Sequence, residues 1–275
     1  MSGLPSPIGR AAPTVWRDGT FRTSARQVPE EIAVALTYNS VTHAVMMASP
    51  ADLEDFAVGF SLAEGIVAAP AEILDLAIVP VEEGIELRMW LGEARNAAFT
   101  HRRRHIAGAT GCGLCGMESL AEAVRPPPPV AGDRHFAPHS ILAALAALPA
   151  AQALNRQTRA VHAAAWWEEE RGLVALREDV GRHNALDKLA GALARAAVDP
   201  AGGLLLLTSR VSVEMVQKAA RLGAPVVVAV SAPTALALRI AEAAGMTLVA
   251  VAREDGFEIF THPFRIGQHA HVDRR

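Results

Sequence analysis

The chain changes its hydrophobic rhythm about halfway along. Apolar runs at Glu31–Leu36 and Val41–Met47, separated by Tyr38-Asn39-Ser40, predict a β-hairpin with a polar turn. Ser49-Pro50 followed by Asp52, Glu54 and Asp55 predicts a helix start: a cap, a proline, then acids at the positive end of the dipole. Leu53, Phe56, Ala57 and Phe60 supply that helix's apolar face, and Gly65 closes it. Ile85–Trp90 reads as a further strand. Before the hairpin, Met1–Arg26 is rich in Pro, Gly and Ser and reads as a loose arm.

Beyond Pro126–Pro129, which interrupts regular structure, strands and helices alternate. A strand ends at Glu178-Asp179-Val180-Gly181 and a helical pattern runs from Asn184 to Ala197. Then come a strand at Leu204–Leu207, a helix at Ser212–Leu222 and a strand at Pro225–Val230. A helix at Thr234–Ala244 and a strand at Thr247–Val251 follow. This order predicts parallel β-α-β units and a sheet covered on both faces. The expected organisation is an arm (1–27), a smaller mixed α/β domain (28–125), a Pro-rich linker (126–138) and an α/β domain (139–275).

Composition narrows the partners. The 275 residues are 51% hydrophobic, enough for a substantial core, and 26 basic against 29 acidic side chains give a net charge of -3. That balance predicts no general affinity for nucleic acid or an anionic membrane, so any anion needs a local site. Met1–Pro13 shows no secretory pattern and no apolar run is long enough to cross a bilayer. A soluble cytoplasmic protein is the expectation.

Both cysteines of the chain fall in Gly111-Cys112-Gly113-Leu114-Cys115-Gly116, ahead of an expected helix at Met117–Val124. Glycines leave both sulfurs accessible. A helix start, with His101, Arg102, Arg103, Arg104 and His105 upstream, favours thiolate. Such a thiolate suits attack on a persulfide. A structural zinc site needs four ligands, and this motif supplies two without a second motif to complete it. A thioredoxin-like enzyme would carry the pair early in a small domain, and two inert core cysteines would not be flanked by glycines. Zinc-dependent deamination needs His-x-Glu before the cysteines. This chain has His162-Ala163-Ala164, after them.

The string Glu178 to Lys188 packs functional side chains between a strand and a helix, where open α/β sheets bind ligands. Gly181 allows close approach, and Arg182 at a helix start suits an anion. Thr208-Ser209-Arg210-Val211-Ser212 and Ser231-Ala232-Pro233-Thr234 follow the next two strands. Parallel strands would bring all three clusters to one sheet edge, the layout of a pocket for a large polyanion. No glycine-rich loop of the Walker or Rossmann type is present, so ATP and NAD chemistry are not indicated.

Taken together, these residues resemble the formate dehydrogenase accessory sulfurtransferases (FdhD). The matching features are Gly59-Phe60 with Glu64-Gly65, the cysteine motif, His162-Ala163-Ala164 and Glu178 through Lys188. Ser209 through Met215, Ser231 through Thr234 and Thr247-Leu248-Val249 also match, in order, over about Val28 to Arg265. The resemblance implies a cytidine-deaminase-like C-terminal domain without deaminase zinc chemistry. It implies a sulfurtransferase that takes persulfide sulfur from a cysteine desulfurase and delivers it to molybdenum bis(molybdopterin guanine dinucleotide). That molecule is a bound substrate, the protein holds no tight metal of its own, and formate dehydrogenase uses the product. Cys112 would carry the persulfide and Cys115 would assist or resolve it. Phe260, Thr261, His262, Pro263, Phe264 and Arg265 match a segment assigned to cofactor binding.

Within this reading Arg182, Lys188 and Arg210 are expected to meet pyrophosphate, with Ser209, Ser231 and Thr234 lining the pocket. Asn184 and Asp187 are expected to bond the ligand or order those cations, with a surface Asp187–Lys188 pair as the bland alternative. His183 is open between acid/base work and a polar contact. Where family members read Ser-Gly-Arg, this chain has Thr208-Ser209-Arg210. A homodimer is left open, and a cofactor chaperone without sulfur relay is the alternative function.

Overall fold

A computed structural model describes residues 3–97, 99–100 and 127–267. Cys112, Cys115, the His101–His105 cluster and the expected Met117–Val124 helix lie outside the described residues.

Residues 8–29 are not a loose arm. β1 (Ile8–Ala11) pairs with β4 (Arg26–Pro29), and β2 (Thr14–Arg17) with β3 (Thr20–Thr23), as one nested antiparallel ribbon. Asp18 and Gly19 take φ of 52° and 75° at its tip, the left-handed pair that a two-residue hairpin turn favours. An Asp-Gly turn between alternating residues was the signal, hidden beneath the Pro, Gly and Ser content.

β5 (Ile32–Tyr38) and β6 (Val41–Ala48) form the expected hairpin, with Asn39 and Ser40 at positive φ in the turn. β7 (Ile73–Val81) and β8 (Gly84–Leu91) complete a sheet ordered β6-β5-β8-β7. β7 tolerates Pro80 because it is an edge strand near its end. Helix α1 (Leu53–Ala63) packs Phe56, Ala57 and Phe60 over Val34, Leu36, Ile85 and Leu87. It begins later than Ser49-Pro50 predicts. Asp52 is its N-cap at φ 53° with no side-chain cap bond, because Ser49 is engaged elsewhere.

The second sheet runs β10-β9-β11-β12-β13-β14. β9 (His162–Glu168) and β10 (Gly172–Asp179) form an antiparallel hairpin, followed by β11 (Leu204–Leu207), β12 (Val226–Ala229), β13 (Thr247–Arg253) and β14 (Gly256–Thr261). The central strands β11, β12 and β13 are parallel, as the alternation predicts, whereas β9 and β14 run against their neighbours. β10 therefore points the same way as β11 through β13. α4 (Arg182–Arg195), α5 (Val213–Leu222) and α6 (Ala235–Ala243) cover one face, burying Leu189, Met215 and Ala241 against Trp166, Leu205 and Val227. On the other face α2 (Pro138–Ala151) sets Ile141 and Leu148 against Leu204 and Val228, while α3 (Ala153–Thr158) follows at its end.

The stretch expected to be a linker is docked. Val130 N–H donates to Ala244, Phe136 is fully buried and bridged to Ile266, and Gly132 O accepts from Arg265. The two sheets meet through α1 and α4, whose backbones touch where they cross. A Cβ at Gly59 would lie 1.7 Å from Asp187 O, and one at Gly191 would lie 1.9 Å from Asp55 O. Around that crossing Asp55 pairs with Arg177 at 2.7 Å and Arg195 at 2.6 Å, and Glu54 with Arg195 at 2.5 Å.

Candidate functional site

Because β10, β11 and β12 share a direction, their carboxyl ends bring the three polar clusters to one edge, as expected. Backbone bonds stitch the loops there: Val211 N to Ala232 O at 3.3 Å and Thr234 N to Val211 O at 3.0 Å. Thr208 exchanges bonds with Ala163, through its N–H to Ala163 O at 3.1 Å and Ala163 N–H to Oγ1 at 2.8 Å. β9 runs the opposite way, so its first residue, His162, sits at this edge opposite Asp179.

The string Glu178–Lys188 divides between two tasks. Most of it joins the two sheets. Asp179 accepts from Ser49 N–H at 3.0 Å, Gly181 N–H at 2.7 Å and Asn184 Nδ2 at 3.0 Å, and pairs with Lys188 at 2.6 Å. Lys188 also donates to Ser49 O at 2.9 Å, and Asn184 to Met47 O at 2.8 Å. Val180 N–H meets the Ser49 hydroxyl at 3.2 Å. Glu178 caps the start of α3 through Leu154 N–H at 2.7 Å and Asn155 N–H at 2.8 Å.

Three expectations are corrected here. Lys188 has 0% exposure, so its ammonium is not presented to a phosphate. Asn184 turns to Met47 and Asp179 rather than outward. Asp187 is neither a surface partner of Lys188 nor at the rim: both its oxygens accept from Lys218, at 2.8 and 2.9 Å. Burial pushes the Asp187 carboxyl up to about 6 against the pull of Lys218. Burial would likewise lower the Lys218 ammonium, but Asp187 and Glu64 outweigh it. The space beside Gly181 is also taken, since a Cβ there would lie 2.9 Å from Asn184 Nδ2.

Arg182 and His183 are turned the other way. Arg182 Nε and His183 Nε2 are buried without a hydrogen-bond partner, an arrangement that costs free energy unless something supplies the missing partner. Burial, then Arg182 and Lys218, depress the His183 imidazole to about 4, so it is neutral near pH 7. His162 is lowered by burial first and by Arg182 second. Burial raises the Glu214 carboxyl, but the Ser212 hydroxyl, its own amide and then His183 and Arg182 hold it below its ordinary value. This corner offers a cation, two neutral imidazoles and a carboxylate. Around it Arg210 is exposed, and Ser209 is buried with its hydroxyl bonded to Arg210 O at 3.0 Å. Ser231 is half-buried, and Thr234 caps α6 by accepting from Ala237 N–H at 3.2 Å. The side chain that replaces the family glycine is therefore folded back onto its own loop.

Phe260–Arg265 is not part of this edge. Thr261 pairs with Leu248 near the start of β13, at the opposite end of the sheet. There Arg265 is buried, donating to Gly132 O at 2.9 Å, Gly245 O at 2.8 Å and Thr247 Oγ1 at 3.1 Å. Thr261 Oγ1 donates to Met246 O at 2.7 Å, and the His262 ring lies 2.8 Å from Glu242 O, while Phe260 and Phe264 stay exposed.

Residues to which the sequence reading gave no part in the site complete the arrangement: Ser49 and Asp55, read only as a helix start, at the junction, and Glu214, read only within a matching string, with Lys218 on α5. Glu214 and Lys218 are four apart on a strongly amphipathic helix, so they share a face. Among the described residues, no three His, Cys, Asp or Glu side chains are grouped to hold a metal, and no helix is long and apolar enough to cross a membrane.

A mixed α/β protein of two joined sheets, with an unsatisfied polar corner at the carboxyl edge of the larger, is the class these features define. Residues 29–267 match the family model described as FdhD/NarQ. The chain is 54% identical over 258 residues to a sulfur carrier protein FdhD of Agrobacterium fabrum, covering 94% of this chain and 95% of that one. It is 49% identical to a protein of the same name from Cupriavidus necator, covering 93% and 88%. Its fold matches the crystal structure of a Desulfotalea psychrophila protein described as a candidate formate dehydrogenase accessory protein. There the TM-score is 0.73 at 25% identity, over 94% of this chain and 99% of that one. The chain belongs to the FdhD/NarQ family.

Proposed function

We propose that this chain is a sulfur carrier in formate dehydrogenase maturation, working in the cytoplasm. Cys112 thiolate attacks the terminal sulfur of a cysteine desulfurase persulfide, forming the new S–S bond and releasing the desulfurase thiolate. Cys115 assists or resolves the adduct. The sulfur is passed to molybdenum bis(molybdopterin guanine dinucleotide) as substrate, which formate dehydrogenase then uses. A cytidine-deaminase-like C-terminal domain belongs to this reading, and a leading hairpin followed by three parallel strands supports it.

The observation that carries the docking half is the pair of unpartnered buried donors or acceptors, Arg182 Nε and His183 Nε2, at the strand-end edge. A guanidinium favours a phosphate, and a neutral imidazole can donate to or accept from a polar ligand atom. Arg210 at the mouth adds an exposed cation. Phe260–Arg265 stays within the proposal as a second contact region, at the far end of the sheet. The sulfur half rests on the Cys112/Cys115 motif and on the relatives' shared description. Mass spectrometry after incubation with a cysteine desulfurase and cysteine tests it: an adduct of roughly 32 Da, one added sulfur, is expected on Cys112. Its absence, or full client activation by Cys112→Ala, would sink the relay.

A further inference from the structure

The strand-end corner has two charged walls of opposite sign. β9 lies between β10 and β11 and runs against both, so the helices that follow β10 and β11 start on either side of its first residue, His162. Two strand spacings set those starts about 10 Å apart. Arg182 and His183 open α4 on one side, and Glu214 stands in the first turn of α5 on the other. The charges of Arg182, Lys218 and Glu214, together with the His162 ring, all act on the His183 imidazole. Side chains of α4, α5 and β9 therefore gather at one point.

Arg182 Nε can only donate, and it is buried without an acceptor. His183 Nε2 is buried and unpartnered as well, and can donate beside it. Glu214, at the positive end of α5, is favoured as a carboxylate, which can only accept. Lys218, one turn along α5, is spent on Asp187 and Glu64, and Arg210 stands exposed at the mouth. A phosphate in this corner would meet Arg182 but also the like charge of Glu214. A ligand that accepts at one end and donates at the other satisfies both walls.

Guanine has that pattern: O6 and N7 accept side by side, and N1–H and the 2-amino group donate side by side. We propose that this corner reads the base of the guanine dinucleotide, with Arg182 donating to O6 and N7 and the Glu214 carboxylate accepting from N1–H and the 2-amino group. Resting on the cofactor docking proposed above, this leaves the phosphates to Arg210 at the mouth. Adenine fails on both walls. Its 6-amino group would face the Arg182 cation, and its bare N1 and C2–H would leave Glu214 without a donor. Glu214 thus sets the choice of base.

Calorimetry of the full chain with four nucleoside diphosphates tests this. Guanosine diphosphate should bind about tenfold or more tighter than adenosine diphosphate. Inosine diphosphate, which keeps N1–H and lacks the 2-amino group, should fall between them. Glu214→Gln exchanges one acceptor for a donor and should reverse the choice. Guanosine diphosphate should then weaken about tenfold or more, while xanthosine diphosphate, whose 2-oxo group accepts, gains by a similar factor. A folding defect would weaken both, so the exchange isolates the contact. Arg182→Ala should weaken guanosine and xanthosine diphosphates alike, since both bases keep O6 and N7. Equal affinity for the guanosine and adenosine forms, or a Glu214→Gln chain that still prefers guanosine to xanthosine diphosphate, would overturn the base assignment and leave cofactor docking standing. Binding of none of the four would overturn both.

Discussion

At position 188 a fully buried ammonium is held by Asp179 and by the carbonyl of Ser49. Removing one partner of such a pair strands the other charge in a dry interior. Lys188→Ala should therefore lose about 3–5 kcal/mol of stability in urea denaturation, whatever it does to ligand affinity. Arg182→Ala should behave in the opposite sense: the midpoint stays put while affinity for a guanine dinucleotide, read by calorimetry, falls about tenfold or more. His183 adds a pH signature. Its folded value of about 4 lies below the ordinary 6.5, so between the two the unfolded chain binds a proton that the folded chain refuses. Stability is full above pH 6.5 and is lost as pH falls toward 4, by on the order of 2 kcal/mol. His183→Gln should flatten that part of a stability-versus-pH curve. A wild-type curve without the slope would count against the burial described for this ring.

The α1–α4 crossing depends on two hydrogen atoms. A methyl at Gly59 would sit inside the Asp187 carbonyl, so Gly59→Ala must push the helices apart, at a cost on the order of 3 kcal/mol measurable by denaturant titration. How much of this was legible varied by element. The β5–β6 hairpin, the α1 apolar face and the parallel centre of the second sheet followed from periodicity, because each buries one regular face. The convergence of three polar clusters followed from strand direction alone. The N-terminal ribbon was missed because composition masked an Asp-Gly turn, and α1 starts late because Ser49 bonds across to the other sheet. The division of the Glu178–Lys188 string was half visible: 184, 187, 188 and 191 lie on one helical face. Nothing local says that this face meets another helix rather than a ligand, since polar side chains serve either role. Phe260–Arg265 could not be placed without knowing that β14 returns antiparallel.

Across the whole molecule, junction and site are built from one stretch of sequence. Asp179, Asn184 and Lys188 fix α4 against Met47–Ser49, Asp187 ties it to Lys218 on α5, and the same helix start holds Arg182 and His183 at the strand-end corner. Anything that loosens the junction should thus displace the corner as well. Asp55→Asn, which weakens the contacts to Arg177 and Arg195, should lower both the midpoint and the guanine dinucleotide affinity, whereas Arg182→Ala lowers affinity alone. The same coupling governs how relatives could be recombined. A chimera spliced at Pro127 would take Met47–Ser49, Asp55 and Gly59 from one parent and Asp179–Gly191 from the other. It should fold only where the parents match at those positions, so mismatched halves need both segments transplanted together.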